Sequence, residues 1–109
     1  MNIDLDKIIK SAIKSGKIFI GSKQTINAAE TGKAVALIHA LNCSENIKEE
    51  LQYYANLSKI PLYTYYGSTS DLGLACGKPF LISAIAVRSL SEPELLRMIK
   101  ESYEQKNQN

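Results

Sequence analysis

Apolar residues recur at helical spacing from the start of the chain. Ile3, Leu5, Ile8, Ile9, Ala12 and Ile13 fall on one side and Asp6, Lys7, Lys10 and Lys14 on the other, with Gly16 where such a helix stops. The period then changes. Lys17 to Ile20 reads as a short strand and Ser22 to Thr31 as a second helix closed by Gly32. Ala34 to Ile38 is almost wholly apolar, the pattern of a strand covered on both faces. Ser44 caps a third helix that points Ile47, Leu51, Tyr54, Ala55 and either Leu57 or Ser58 inward and leaves Lys48, Glu49, Glu50 and Gln52 in solvent. Ile60-Pro61 closes it, and Leu62 to Tyr65 follows as a strand.

Ser68-Thr69-Ser70-Asp71 opens a short helix through Cys76, with Asp71 placed three residues after Ser68 to complete a cap, Leu72 facing inward and Gly73 permitting close packing. Gly77-Lys78-Pro79 turns the chain into Phe80 to Val87, the most strongly patterned strand. Ser91-Glu92-Pro93-Glu94 has the form of a capping box with a proline in the first turn, and predicts a C-terminal amphipathic helix over 91–104 through Leu95, Leu96, Met98, Ile99 and Tyr103. Residues 105–109 are expected to fray. Helices alternating with short apolar strands predict an α/β fold, a three-layer α/β/α sandwich around a small mixed β-sheet. With no linker, repeat or low-complexity segment, 1–109 reads as one domain.

Composition changes this picture little. A chain of 109 residues, 45% hydrophobic and without tryptophan, suits one aliphatic core. The net charge of +2 neither requires nor excludes nucleic acid, since a compact site needs only a few local cations. No apolar run is long enough for a membrane span, and the acidic start Met1-Asn2-Ile3-Asp4-Leu5-Asp6 is unlike a signal peptide, so a soluble, cytoplasmic protein is expected. Cys43 and Cys76 are far apart and accompanied by the single histidine His39, which gives no metal-ligand spacing; in a reducing cytosol buried or half-buried thiols are expected, with a disulfide as the alternative for a hyperthermophile source.

The chemistry of catalysis finds little support. Gly16-Lys17 is followed by Ile18 and Gly77-Lys78 by Pro79, so neither forms a Walker loop, and no dinucleotide fingerprint occurs. His39, the only imidazole, ends an apolar strand and reads as a structural or rim residue. Glu49-Glu50 and Asp4 with Asp6 read as solvated helix charges. No enzyme, cofactor, metal or small-molecule substrate is expected.

The stretch Lys17-Ile18-Phe19-Ile20-Gly21-Ser22-Lys23-Gln24-Thr25 is more informative. A strand passes through one glycine into a helix start, with Ser22 as a candidate N-cap, free N–H groups suited to phosphate oxygens, and Lys23 and Gln24 beside them.

Four blocks together carry a resemblance: Gly21-Ser22-Lys23-Gln24-Thr25; Ala40-Leu41-Asn42; Glu50-Leu51-Gln52-Tyr53-Tyr54-Ala55-Asn56-Leu57-Ser58 with Ile60-Pro61-Leu62-Tyr63; and Ser70-Asp71-Leu72-Gly73 with Cys76-Gly77-Lys78-Pro79-Phe80. In this order they resemble the ribosomal protein L30e family, within the wider L7Ae group, over roughly Leu5 to Val87. The resemblance implies an α/β/α sandwich that binds kink-turn ribosomal RNA in the large ribosomal subunit, alongside other large-subunit proteins and without catalysis. Pro79 and the compact chain point to the archaeal branch. An L7Ae-type protein of RNA-guided modification particles is the nearest alternative, but that branch tends to carry Asn-Glu where this chain has Lys23-Gln24. A protein-interaction module on the same fold is a third reading.

Three loops form the site that the resemblance implies. Gly21, Ser22, Lys23, Gln24 and Thr25 meet RNA at the first, the glycine through close backbone approach and the others through cationic or hydrogen-bonding contacts. Asn42 reads a base edge at the second, or else forms a turn or Asx-type cap before the third helix. At the third, Phe80 packs against an unstacked nucleotide, or else fills the core at the start of the last strand, and Lys78 is a phosphate ligand or a solvated lysine.

Overall fold

In the computed structural model, residues 3–88 are described, apart from the side chains of 3–5 and 8. The expected C-terminal helix at 91–104 and the tail at 105–109 lie outside the described residues, as do the side chains of Ile3, Leu5 and Ile8. The elements run α1 (Ile3–Lys14), β1 (Ile18–Ile20), α2 (Ser22–Glu30), β2 (Ala34–Ala40), α3 (Glu45–Ser58), β3 (Leu62–Tyr65), α4 (Thr69–Ala75) and β4 (Ala84–Arg88). They follow the sequence pattern closely except at the last strand.

The strands form one four-stranded sheet in the order β1-β4-β2-β3. β4 is antiparallel to β1 and β2, whereas β2 and β3 are parallel, so the sheet is mixed. Two cores lie on its faces. On one, Ile9 and Ala12 of α1 and Leu72 and Ala75 of α4 meet Ile38, Ile85 and Val87; on the other, Ala28 and Ala29 of α2 and Leu51 and Ala55 of α3 meet Leu37, Ala84 and Ala86. Alternate residues of β4 thus supply opposite cores, as a pleated strand requires. This is the expected α/β/α sandwich. The small side chains of the second core let α2 lie close on the sheet, and Ser58 Oγ donates to the Ala29 carbonyl at 2.8 Å to join α3 to α2. The inward residue near the end of α3 is therefore Ser58, and Leu57 points outward.

A bulge between Ala34 and Ala36 shifts the register of β2 against β4 and moves the inward parity by one, so Ala34 serves the α2–α3 core and Ala36 the α1–α4 core. Asp6 is not a simple solvated charge. Its Oδ1 accepts from the buried Tyr65 hydroxyl at 2.9 Å, joining α1 to β3; burial, then the bond to Asp6, pushes the tyrosine upward in pKa. His39 is structural, with Nδ1 2.8 Å from the Ala40 carbonyl and Nε2 3.1 Å from Thr64 Oγ1. Cys43 and Cys76 are free and buried, and burial raises the Cys76 thiol to about 11.

Phe80 to Ile82 do not join the sheet, and Ser83 meets it only through its carbonyl, which accepts from Ala40 N–H. β1 ends at Ile20 and β2 at Ala40, so the ladder has partners for β4 only from Ala84 onward. Before that point the chain packs on α4: Lys78 N–H donates to Gly73 and Ile82 N–H to Thr69. An apolar pattern marked these residues as strand, but a strand needs a neighbour to pair with.

Candidate nucleic-acid interface

Because β4 runs against its neighbours, its N-terminal end lies with the C-terminal ends of β1, β2 and β3, and the loops holding the sequence-selected residues meet at one end of the sheet. Backbone hydrogen bonds tie them there. Gly21 N–H donates to Ala84 O at 2.9 Å, Ala40 to Ser83 at 2.8 Å, Leu41 to Gly67 at 2.9 Å and Ile82 to Thr69 at 3.1 Å. Asn42 Oδ1 completes the network by accepting from Thr69 N–H at 2.8 Å.

The first corner is built by Gly21, whose φ of 101° and ψ of 152° belong to a region that side chains oppose. Gly21, not Ser22, is the N-cap of α2; Ser22 is already helical, and no side chain caps this end. The sequence-based assignment of Ser22 as cap fails because the positive-φ turn at Gly21 brings the chain into the helix one residue earlier, with Ser22 as its first residue. The first helical bond is Thr25 N–H to Gly21 O. The N–H groups of Ser22, Lys23 and Gln24 therefore have no hydrogen-bond partner among the described residues, and the helix dipole adds partial positive charge beside the exposed Lys23 and Gln24.

Thr25 has a different role from the one expected. It is fully buried, and its Oγ1 donates to the Gly21 carbonyl at 2.7 Å. Backbone and side chain of Thr25 thus hold one carbonyl and fix the plane of the Gly21–Ser22 peptide; the hydroxyl is spent inside and is removed from the contact surface.

Asn42 caps a helix, but α4 rather than the adjacent α3, which Ser44 caps through Ile47 N–H at 3.3 Å. With Oδ1 so anchored, the exposed Asn42 amide has no hydrogen-bond partner for its Nδ2 donors among the described residues. Ser68 and Asp71 complete the reciprocal capping box on α4 as the sequence implied.

Phe80 is 55% exposed, which rules out the core-filling reading. Its loop is held by Gly73: a Cβ there would stand 2.1 Å from the Phe80 carbonyl oxygen, so only a glycine lets this segment lie against α4. Lys78 is half-buried next to Cys76, on whose thiol its ammonium acts against the effect of burial. Two contributors escaped the sequence reading. Gly67 is buried under Tyr65 and Asp71, with room for no Cβ, and the turn Tyr66-Gly67-Ser68 just before a capping box was the available signal. Leu81, assigned to a strand, is instead 69% exposed beside Phe80.

No group of three or more His, Cys, Asp or Glu that could hold a metal occurs among the described residues, and none of their helices is long and apolar enough to cross a membrane. What stands at this end is an α/β/α domain with a rigid, hydrogen-bonded platform carrying amides, a cation and an exposed ring. The chain belongs to the Ribosomal protein L7Ae/L30e/S12e/Gadd45 family, whose profile matches residues 4–96. It is similar to the large ribosomal subunit protein eL30 of Methanothermobacter thermautotrophicus, 38% identical over 97 residues that cover 89% of this chain and 99% of that one. The eL30 protein of Sulfurisphaera tokodaii is 43% identical over 93 residues, covering 85% and 88%. Among solved structures, a Bacillus halodurans protein of unknown function matches with a TM-score of 0.81 at 17% identity, covering 94% of this chain and 99% of that one. The Giardia lamblia 15.5kD RNA binding protein matches at 0.72 and 19% identity, covering 96% and 89%. These two likenesses establish the fold, and the family agrees with the resemblance carried by the four sequence blocks.

Proposed function

We propose that this protein is a structural constituent of the large ribosomal subunit that binds ribosomal RNA at a kink-turn, as a single domain over 1–109 with no catalytic step and no cofactor. It works in the cytoplasm, within the ribosome and beside other large-subunit proteins. The observation that carries this reading is the convergence, at one end of the sheet, of an uncapped helix start, an anchored amide and an exposed ring, in a chain whose relatives at 38% and 43% identity are named as large-subunit proteins.

Each group has a task in RNA recognition. The N–H groups of Ser22, Lys23 and Gln24 suit phosphate or base-edge oxygens, and the Lys23 ammonium adds charge there. Gly21 keeps the corner free of a side chain, so the nucleotide backbone can come close. Asn42 donates through Nδ2 to a base edge. Phe80 offers a face for an unstacked base, the principal way proteins read splayed nucleotides, and Lys78, in the turn after α4, reaches a phosphate.

Fluorescence transfer between dyes on the two arms of a kink-turn RNA tests the reading. Transfer should rise on adding protein, because binding favours the bent form, and affinity should fall with salt as counterions are released. Equal affinity for an uninterrupted duplex of the same length would overturn it. Sequencing RNA crosslinked to the protein in cells separates the sources: ribosomal RNA is expected, whereas enrichment of guide RNA would assign the protein to modification particles.

A further inference from the structure

The outer face of α3 is built for contact, though it belongs neither to the core nor to the loop end. Asn46, Glu50, Tyr53 and Leu57 follow one another at spacings of four, three and four residues, which aligns them as one stripe on the helix surface away from the buried Leu51 and Ala55. Large apolar groups are exposed on it: Tyr53 is 60% and Leu57 65% accessible. The rings of Tyr53 and Tyr54 meet edge to face with centroids 5.0 Å apart, and with Asn46, Glu49 and Glu50 they line a shallow groove of about 450 Å³.

The groove is also negative. Glu45 has Lys48 at 3.8 Å, but Glu30, Glu49 and Glu50 have no ion-pair partner among the described residues. The field of Glu30 and Glu50 is felt at the Tyr54 hydroxyl, pushed up first by Glu30, then by burial, Tyr53 and Glu50. Such a surface repels phosphate, so it is not a second RNA site. An exposed tyrosine ring flanked by carboxylates that have no ion-pair partner among the described residues matches one chemistry closely: a guanidinium, which can lie flat on an aromatic ring while its N–H fork meets a carboxylate.

We propose that this face of α3 docks an arginine-rich extended segment of a partner protein, with a guanidinium on Tyr53 and neighbouring cations at Glu49 and Glu50. A domain holding RNA at the end of its sheet thereby keeps a helix flank for a basic polypeptide, and one molecule can bridge the two. The inference rests on the α3 face and the neighbouring Glu30 of α2 and does not need the RNA reading to hold.

The test uses the full chain and a fluorescein-labelled octa-arginine peptide, read by anisotropy at low salt. Binding should weaken about two- to fivefold in Tyr53→Ala at unchanged charge and be restored in Tyr53→Phe, which keeps the ring. It should weaken further in Glu49→Gln/Glu50→Gln, while kink-turn affinity and melting temperature stay at wild-type values in all three variants. Octa-lysine, lacking the planar fork, should bind less tightly than octa-arginine. Equal peptide binding by Tyr53→Ala would overturn the proposal. So would displacement of the peptide by single-stranded RNA that binds the groove, or self-association of the chain that Tyr53→Ala abolishes, which would give the face to a second copy.

Discussion

Two helices begin at the loop end, on opposite faces of the sheet, and their first turns are handled in opposite ways. At α4, Thr69 N–H is taken by Asn42, Asp71 N–H by Ser68 Oγ, and Ser68 N–H by Asp71 Oδ2, so local donors are spent on the fold. At α2, a bare glycine is the cap and the N–H groups of Ser22, Lys23 and Gln24 remain unused among the described residues. A helix gains about 0.5–2 kcal/mol from a good N-cap, so leaving one off costs stability at the corner where binding is proposed. The contrast is one of use: α4 spends its first-turn donors on tying the loops together, and α2 leaves its own open.

Filling the space kept by Gly73 should have the largest effect. In Gly73→Ala the new Cβ meets the Phe80 carbonyl, so the loop must move or the helix shift; about 1–3 kcal/mol of stability should be lost, measurable by thermal denaturation as a fall of about 4–8 °C per kcal/mol. RNA affinity should fall with it. A variant with unchanged melting temperature and affinity would show that α4 does not hold the loop.

Phe80→Ala should come next, but in binding. Losing a stacked base costs roughly 1–3 kcal/mol, about tenfold or more in affinity, whereas the melting temperature should change little because the ring is half outside the core. Phe80→Tyr should keep most of the affinity, and Phe80→Leu should behave like alanine. Full binding by Phe80→Leu would remove the stacking role.

The capping box gives the converse. Ser68→Ala should cost about 0.5–2 kcal/mol in denaturant unfolding while intrinsic RNA affinity of the folded protein is retained. At α2 the balance reverses: Lys23→Ala should leave stability within about 0.5 kcal/mol, weaken RNA binding and reduce the salt slope by about one. The smallest change is also the sharpest. Ser22→Asp places a carboxylate on the open helix start and should stabilise the fold by about 0.3–1 kcal/mol through the helix dipole, yet weaken RNA binding through repulsion. Stability and affinity moving together in that variant would mean that α2 does not face phosphate.

Much of this was legible along the chain. The apolar periods gave the helices, Ser68 and Asp71 announced their own capping box, and Gly21 marked a corner, because in each case the partners lie within one turn of each other. Phe80 and Lys78 were singled out by motif, but their surroundings were not legible: the pattern placed Phe80 in a strand, and only the ends of β1 and β2 show that nothing there can pair with it.

The sequence by itself therefore determined the order and type of elements in the described region, the three-layer arrangement and the family, since these follow from local period and from motifs read in order. Tertiary structure alone decided which polar groups remain available. Thr25 was lost to the Gly21 carbonyl because the helix start turned its side chain inward. Asn42 was divided, Oδ1 spent on Thr69 across 27 positions and Nδ2 left over, and Asp6 was claimed by Tyr65 across 59. A side chain's donors and acceptors are written in its residue type, but whether they are already satisfied depends on neighbours that only folding brings within 3 Å.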